Sequence, residues 1–173
     1  MIILKLALIV LPPAILLWFI IKNKDRIKLE LENFKHINNI ENIFYSTCFA
    51  FIGFNIINSL TSQYFGTATV ISLPVNIPVL YIYSVTISPI IEEYICRGII
   101  FKKLSSKFSF RLSALLSSIV FAIPHFNLSG FIGYVFVGFI WCWYYQKSNN
   151  LLIPIFSHAL FNFTTILIMS LKG

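Results

Sequence analysis

Six apolar runs, at residues 1–21, 42–60, 75–101, 112–126, 131–146 and 151–171, divide the chain. A helix of ~20 apolar residues crosses the ~30 Å hydrocarbon core of a bilayer. Only 11% of the 173 residues are charged and 58% are hydrophobic. A soluble domain carries about 25% charged residues, and a chain this short has too much surface per unit volume to bury so much apolar area in water. In lipid every backbone polar group must be satisfied internally, which favours helices. The expected fold class is therefore all-α, a single polytopic transmembrane domain over residues 1–173 with about six spans.

The net charge of +7 does not indicate a nucleic-acid partner, because the positive residues form no basic stripe. They cluster in short connectors. Lys22, Lys24, Arg26, Lys28, Lys35, Lys102, Lys103, Lys107, Arg111 and Lys147 fall on one set of alternate connectors; only Lys5 and Lys172 fall on the other. This bias orients the chain with the basic connectors in the cytoplasm and both termini outside. The expected location is a cell membrane, multi-pass, and the Ile, Asn, Lys and Phe bias suggests a bacterial source. The first run has Pro12 and Pro13 near its middle and no A-x-A-like site after it, so it reads as an uncleaved, kinked span. Connector 22–41 mixes apolar residues with both signs of charge and reads as a surface helix, with His36 solvated on it. Cys48, Cys96 and Cys142 lie in apolar runs without CxxC spacing and read as packing residues.

Residues 87–101, ISPIIEEYICRGIIF, break the pattern. Glu92, Glu93 and Arg97 sit inside a run otherwise fit for lipid, where each charge costs at least ~2.5–3.5 kcal/mol on insertion scales. On an α-helix Glu93 and Arg97, four apart, share a face and can pair. Glu92 and Arg97, five apart, are separated by about 140°. The charges thus divide into a bracing pair and a leftover acid.

Two histidines and an asparagine lie in other runs. His125 follows Pro124; His158 and Asn162 are four apart on one helix face. Each alone is consistent with a packing hydrogen bond between helices. Together, at ~1.5 Å per residue, Glu92, His125, His158 and Asn162 lie roughly 10–21 Å from the presumed cytoplasmic ends, so they can meet in one polar intramembrane chamber. Peptide hydrolysis suits such a set: Glu92 with His125 to activate water, and His158 with Asn162 to donate to the oxyanion, ~3–4 kcal/mol for a good donor. A zinc version uses Glu92, His125 and His158 as ligands with one open position. The sequence leaves both versions open, and no cofactor is firmly expected.

These residues stand in three motifs. Glu92-Glu93-Tyr94-Ile95-Cys96-Arg97 is EExxxR, Phe121 to His125 is FxxxH, and His158 to Asn162 is HxxxN. In that order within apolar runs, they resemble the CAAX prenyl endopeptidase and bacteriocin-processing (CPBP, or Abi) family of intramembrane proteases. The resemblance covers about residues 84–171, the expected catalytic core. It implies that Glu92 and His125 activate water, that His158 and Asn162 form the oxyanion hole, and that Glu93 and Arg97 support the site. It also implies a role in bacteriocin processing or self-immunity. The leading expectation is an endopeptidase that cleaves a peptide or membrane-protein substrate near the cytoplasmic side. Two other classes compete. One is a non-catalytic bacteriocin-immunity protein on the same fold. The other is a proton-coupled transporter, against which stands the lack of an inverted repeat.

Overall fold

A computed structural model describes residues 20–34, 37–66 and 78–171, with positions 14, 17 and 18. All regular structure among them is helical. Helix α1 spans Lys24–Phe34, α2 Ile37–Phe65 and α3 Pro78–Glu93. The chain continues from α3 as a π-helix, Tyr94–Phe101, and a last turn, α4, Lys102–Ser105. Helix α5 is Phe110–Ala122, closed by a 3₁₀ turn, Ile123–His125. Helices α6, Phe131–Ser148, and α7, Leu152–Leu171, complete the bundle.

Two stretches are long and apolar enough to cross a membrane, Asn38–Phe65 and Leu152–Leu171, and Phe110–His125 is a shorter apolar helix. Two of the six expected spans are met in this way among the described residues. The first expected span, 1–21, and His36 lie almost wholly outside them. Connector 22–41 does hold a helix, α1, with no buried residue. The 112–126 run is shorter as an α-helix than expected, because Pro124 tightens its end into the 3₁₀ turn and Phe126 adopts a left-handed conformation at φ 47°. The run from 75 is not α-helical throughout. Beyond Glu93 it widens into eight residues of π-helix, a form that is rare and often found at functional sites.

Packing is inside-out relative to a water-soluble bundle. Phe44, Phe49, Ile52, Ile56 and Leu60 form an exposed apolar stripe on α2, and Leu160, Phe163 and Leu167 are exposed on α7. Ser46, Ser113, Ser117, Ser118 and Ser157 are fully buried. Small buried residues let helices approach closely where the surrounding medium is as apolar as the side chains. Ser117 Oγ donates to the Cys96 carbonyl across the α5–π-helix contact at 2.8 Å. Trp141 on α6 belongs to a core cluster with Val137 of the same helix and Ala50, Phe54, Cys96, Phe121 and Phe161 from the surrounding helices. α6 lies between α2 and α5, and α7 lies between α2 and α3.

The α5–α6 crossing depends on Gly138. A Cβ there would meet Ser118 Cβ at 2.8 Å and Ser118 Cα, a backbone atom, at 3.0 Å. Gly138→Leu should therefore push the helices apart and cost ~1–3 kcal/mol or more, read as a lower unfolding temperature of the purified protein in detergent.

Opposite ends of the bundle differ. At one end Phe101, Phe110 and Tyr145 meet edge-on, with centroids 5.9 and 6.0 Å apart. Helix α1 latches there: Glu30 Oε2 accepts from the Leu151 backbone N–H at 3.0 Å, capping α7, and Asn150 Nδ2 donates to the Glu30 carbonyl at 2.8 Å. At the other end Ser129, in the α5–α6 turn, donates to the Phe65 carbonyl at 2.6 Å, closing α2 against that turn.

Candidate active site

Glu92 and Glu93 end α3, and successive helical residues point about 100° apart. One acid therefore enters the core and the other does not. Glu93 is fully buried. Its Oε1 accepts from Arg97 Nη1 at 2.9 Å and from His158 Nδ1 at 3.0 Å. Arg97, equally buried, spends Nη2 on the Gly138 carbonyl at 2.7 Å. Its guanidinium lies 4.9 Å from the Phe121 ring centroid and 5.5 Å from that of Trp141, at cation–π distance. The pair thus joins the α3–π junction to α6 and α7.

Glu92 has 34% of its side chain exposed, accepts a hydrogen bond from Ser88 one turn earlier, and places Oε2 4.0 Å from His158 Nε2. It lines a cavity of about 520 Å³ whose polar lining includes Ser84, Ser88, His125, Tyr134, His158 and Asn162. Phe54, Phe121 and Phe161 supply much of the apolar wall. The structure thus brings Glu92, His125, His158 and Asn162 to one cavity, and keeps Glu93 and Arg97 behind it.

The hydrogen bonds fix which nitrogen of each histidine faces the cavity. His125 Nδ1 lies 3.0 Å from the Phe121 carbonyl. A carbonyl only accepts, so Nδ1 carries the hydrogen and Nε2 of the neutral ring is a bare acceptor. His158 Nδ1 faces Glu93, a carboxylate paired with Arg97, so it too carries the hydrogen and leaves Nε2 bare toward Glu92. Asn162 Nδ2 donates one hydrogen to the Ser84 carbonyl at 2.8 Å and keeps one. The Glu92 carboxylate and the two imidazoles thus give the cavity three groups able to accept a proton. With Nδ1 turned to Glu93, His158 donates to the cavity once Nε2 is protonated.

Residues outside the motifs hold these groups. Trp141 stacks on His158 at 4.3 Å and 23°, its Nε1 anchored to Ser157 Oγ at 2.8 Å. Tyr134 lies against His125 at 4.0 Å and 31°. Phe121, the aromatic of FxxxH, touches both histidines, at 4.9 and 5.6 Å between centroids. Ser88 was findable from sequence, since it precedes Glu92 by one helical turn. Tyr134 and Trp141 carried no such signal, because their contacts depend on how α6 crosses the other helices. Among the described residues no group of three His, Cys, Asp or Glu side chains converges to hold a metal ion.

A polar cavity of this kind, inside a helical bundle with an apolar exterior, defines a class of membrane-associated protein with carboxylate, imidazole and amide groups in its interior. The sequence narrows the class. A family described as "Type II CAAX prenyl endopeptidase Rce1-like" matches residues 74–164, and the chain belongs to that family. It is similar to "Putative membrane peptidase YdiL" of Bacillus subtilis (strain 168), 34% identical over 107 residues, covering 62% of this chain and 43% of that protein. It is also similar to "Membrane-embedded CAAX protease MroQ" of Staphylococcus aureus (strain USA300), 26% identical over 179 residues, covering 92% of this chain and 69% of that protein. "UPF0177 protein YxdF" of Lactococcus lactis subsp. lactis (strain IL1403) is 31% identical over 111 residues, covering 62% of this chain and 58% of its own length. The match to YdiL thus spans less than half of that relative. No solved structure matches the chain.

Proposed function

We propose that the protein is a multi-pass intramembrane endopeptidase that hydrolyses a peptide bond in a peptide or membrane-protein substrate, with water activated by Glu92. The observation that carries this reading is a single cavity lined together by the Glu92 carboxylate and the imidazoles of His125 and His158. Such a site takes a proton from water rather than donating one to a ligand.

In the proposed reaction, water lies between Glu92 and His125. Glu92 accepts one of its protons, and the oxygen attacks the scissile carbonyl carbon. The carbonyl oxygen becomes an oxyanion, met by the free Asn162 N–H. Glu92 passes its proton to His158 Nε2, 4.0 Å away, and the imidazolium so formed is held by Glu93 and donates to the oxyanion. As the C–N bond breaks, that proton returns through Glu92 to the leaving amine. One proton is taken and one is given back. Glu93 is the carboxylate that fixes the ring of His158, the part the buried acid plays in a catalytic triad.

This mechanism needs no metal. The test is cleavage of an apolar fluorogenic peptide mixture by purified protein in liposomes, with and without EDTA or 1,10-phenanthroline. The expected rate is unchanged by either chelator. A loss of ~10-fold or more, about 1.4 kcal/mol of barrier, that added zinc restores would replace this reading with the metal one.

A further inference from the structure

We infer that the catalytic cavity is reached from the non-cytoplasmic side of the membrane, so that the substrate is a peptide segment already presented at the outer leaflet. The inference rests on the endopeptidase reading above for the word substrate, but its geometry is independent of it.

The cavity occupies one half of the bundle. Along α3 and its continuation its lining runs from Tyr81 to Cys96 and stops before Arg97. On α5 and its turn it takes Val120, Phe121, Pro124 and His125, all at the C-terminal end. On α7 it begins at His158 and runs outward to Met169, and on α6 it touches only Tyr134, one turn from the N-terminus. The end of α2 and the α5–α6 turn meet on this side, at the Ser129–Phe65 contact. Below the cavity the other half is filled by Arg97, Trp141, Ser117 and Cys142, all buried, and by the Phe101–Phe110–Tyr145 cluster.

The charges lie at the filled end. From residue 37 to 171 the sequence has six Lys and Arg: Lys102, Lys103, Lys107, Arg111, Lys147 and the buried Arg97. The five that are not buried end the α3–α4 rod, start α5 and end α6, where α1 adds Lys24, Arg26 and Lys28. Lys and Arg flanking short connectors mark the cytoplasmic face. The plugged, basic end is thus cytoplasmic and the cavity faces outward. This reverses the expectation of cleavage near the cytoplasmic side. Depth alone placed the four residues mid-membrane and said nothing of which way the space around them opens. A reaction served from this side follows translocation: its substrate is an exported peptide or the outer segment of a membrane protein.

Thiol accessibility tests the inference without needing catalysis. In a Cys48→Ala background, which leaves the buried Cys96 and Cys142, single Ser88→Cys, Met169→Cys and Lys107→Cys variants are treated with a membrane-impermeant methanethiosulfonate. The reagent is applied to right-side-out and inside-out vesicles, with the background protein as blank. Ser88→Cys and Met169→Cys should react at least ~10-fold faster in right-side-out vesicles, and Lys107→Cys should show the opposite preference. Faster reaction of Ser88→Cys in inside-out vesicles overturns the inference. So does its failure to react from either side while Met169→Cys and Lys107→Cys both react. If Met169→Cys folds poorly, Tyr81→Cys replaces it at the same mouth. Failure of the endopeptidase reading would appear separately, as peptide cleavage independent of Glu92.

Discussion

Arg97→Leu should cost ~3–5 kcal/mol of stability, the scale seen when one member of a buried ion pair is removed and the other charge is left without compensation. Glu93 has no exposed surface, and among the described residues its basic partners are Arg97 and His158. Arg97 also ties Gly138 of α6 to the α3–π junction and lies over two aromatic rings. The expected result is a purified protein that unfolds at markedly lower temperature or denaturant. Adding Glu93→Leu should recover part of the loss, because the orphaned charge goes. Recovery should be incomplete, since His158 Nδ1 then loses its acceptor. A single Arg97→Leu variant as stable as the parent would show that the brace is dispensable.

Glu92→Gln should lower the cleavage rate by ~10²–10⁴, the contribution of a positioned general base. Glutamine keeps the volume of the side chain and can still accept from Ser88. It cannot take a proton from water. Because Glu92 is partly exposed to the cavity and makes no ion pair with Arg97, stability should change little. The two predictions therefore separate: one acid governs folding and its neighbour governs rate.

That division was partly legible in the sequence. Four-residue spacing puts Glu93 beside Arg97, and the offset of Glu92 follows from helical geometry. The π-helix after Glu93 was not legible, since no side chain specifies an i→i+5 ladder. It matters, because the 3.6-residue arithmetic used beyond Glu93 describes a helix that is not there. The 3₁₀ end of α5 was half legible: Pro124 signals a bend, but not that His125 Nδ1 would bond back to Phe121. Motif spacing marks His158 and Asn162 as neighbours. It does not disclose that His158 gives its hydrogen to Glu93, nor that Asn162 gives one of its two to Ser84. Those facts depend on helix crossings, which Gly138, Ser118 and Trp141 set from elements remote in sequence.

The most direct test is to run wild type and Glu92→Gln side by side in liposomes prepared in H₂¹⁸O, with the same peptide mixture and with products read by mass spectrometry. The account predicts paired fragments from wild type, each new carboxylate carrying one ¹⁸O, and at least ~10²-fold slower release of both from the equally folded Glu92→Gln protein. Identical fragments from Glu92→Gln at the wild-type rate would contradict it.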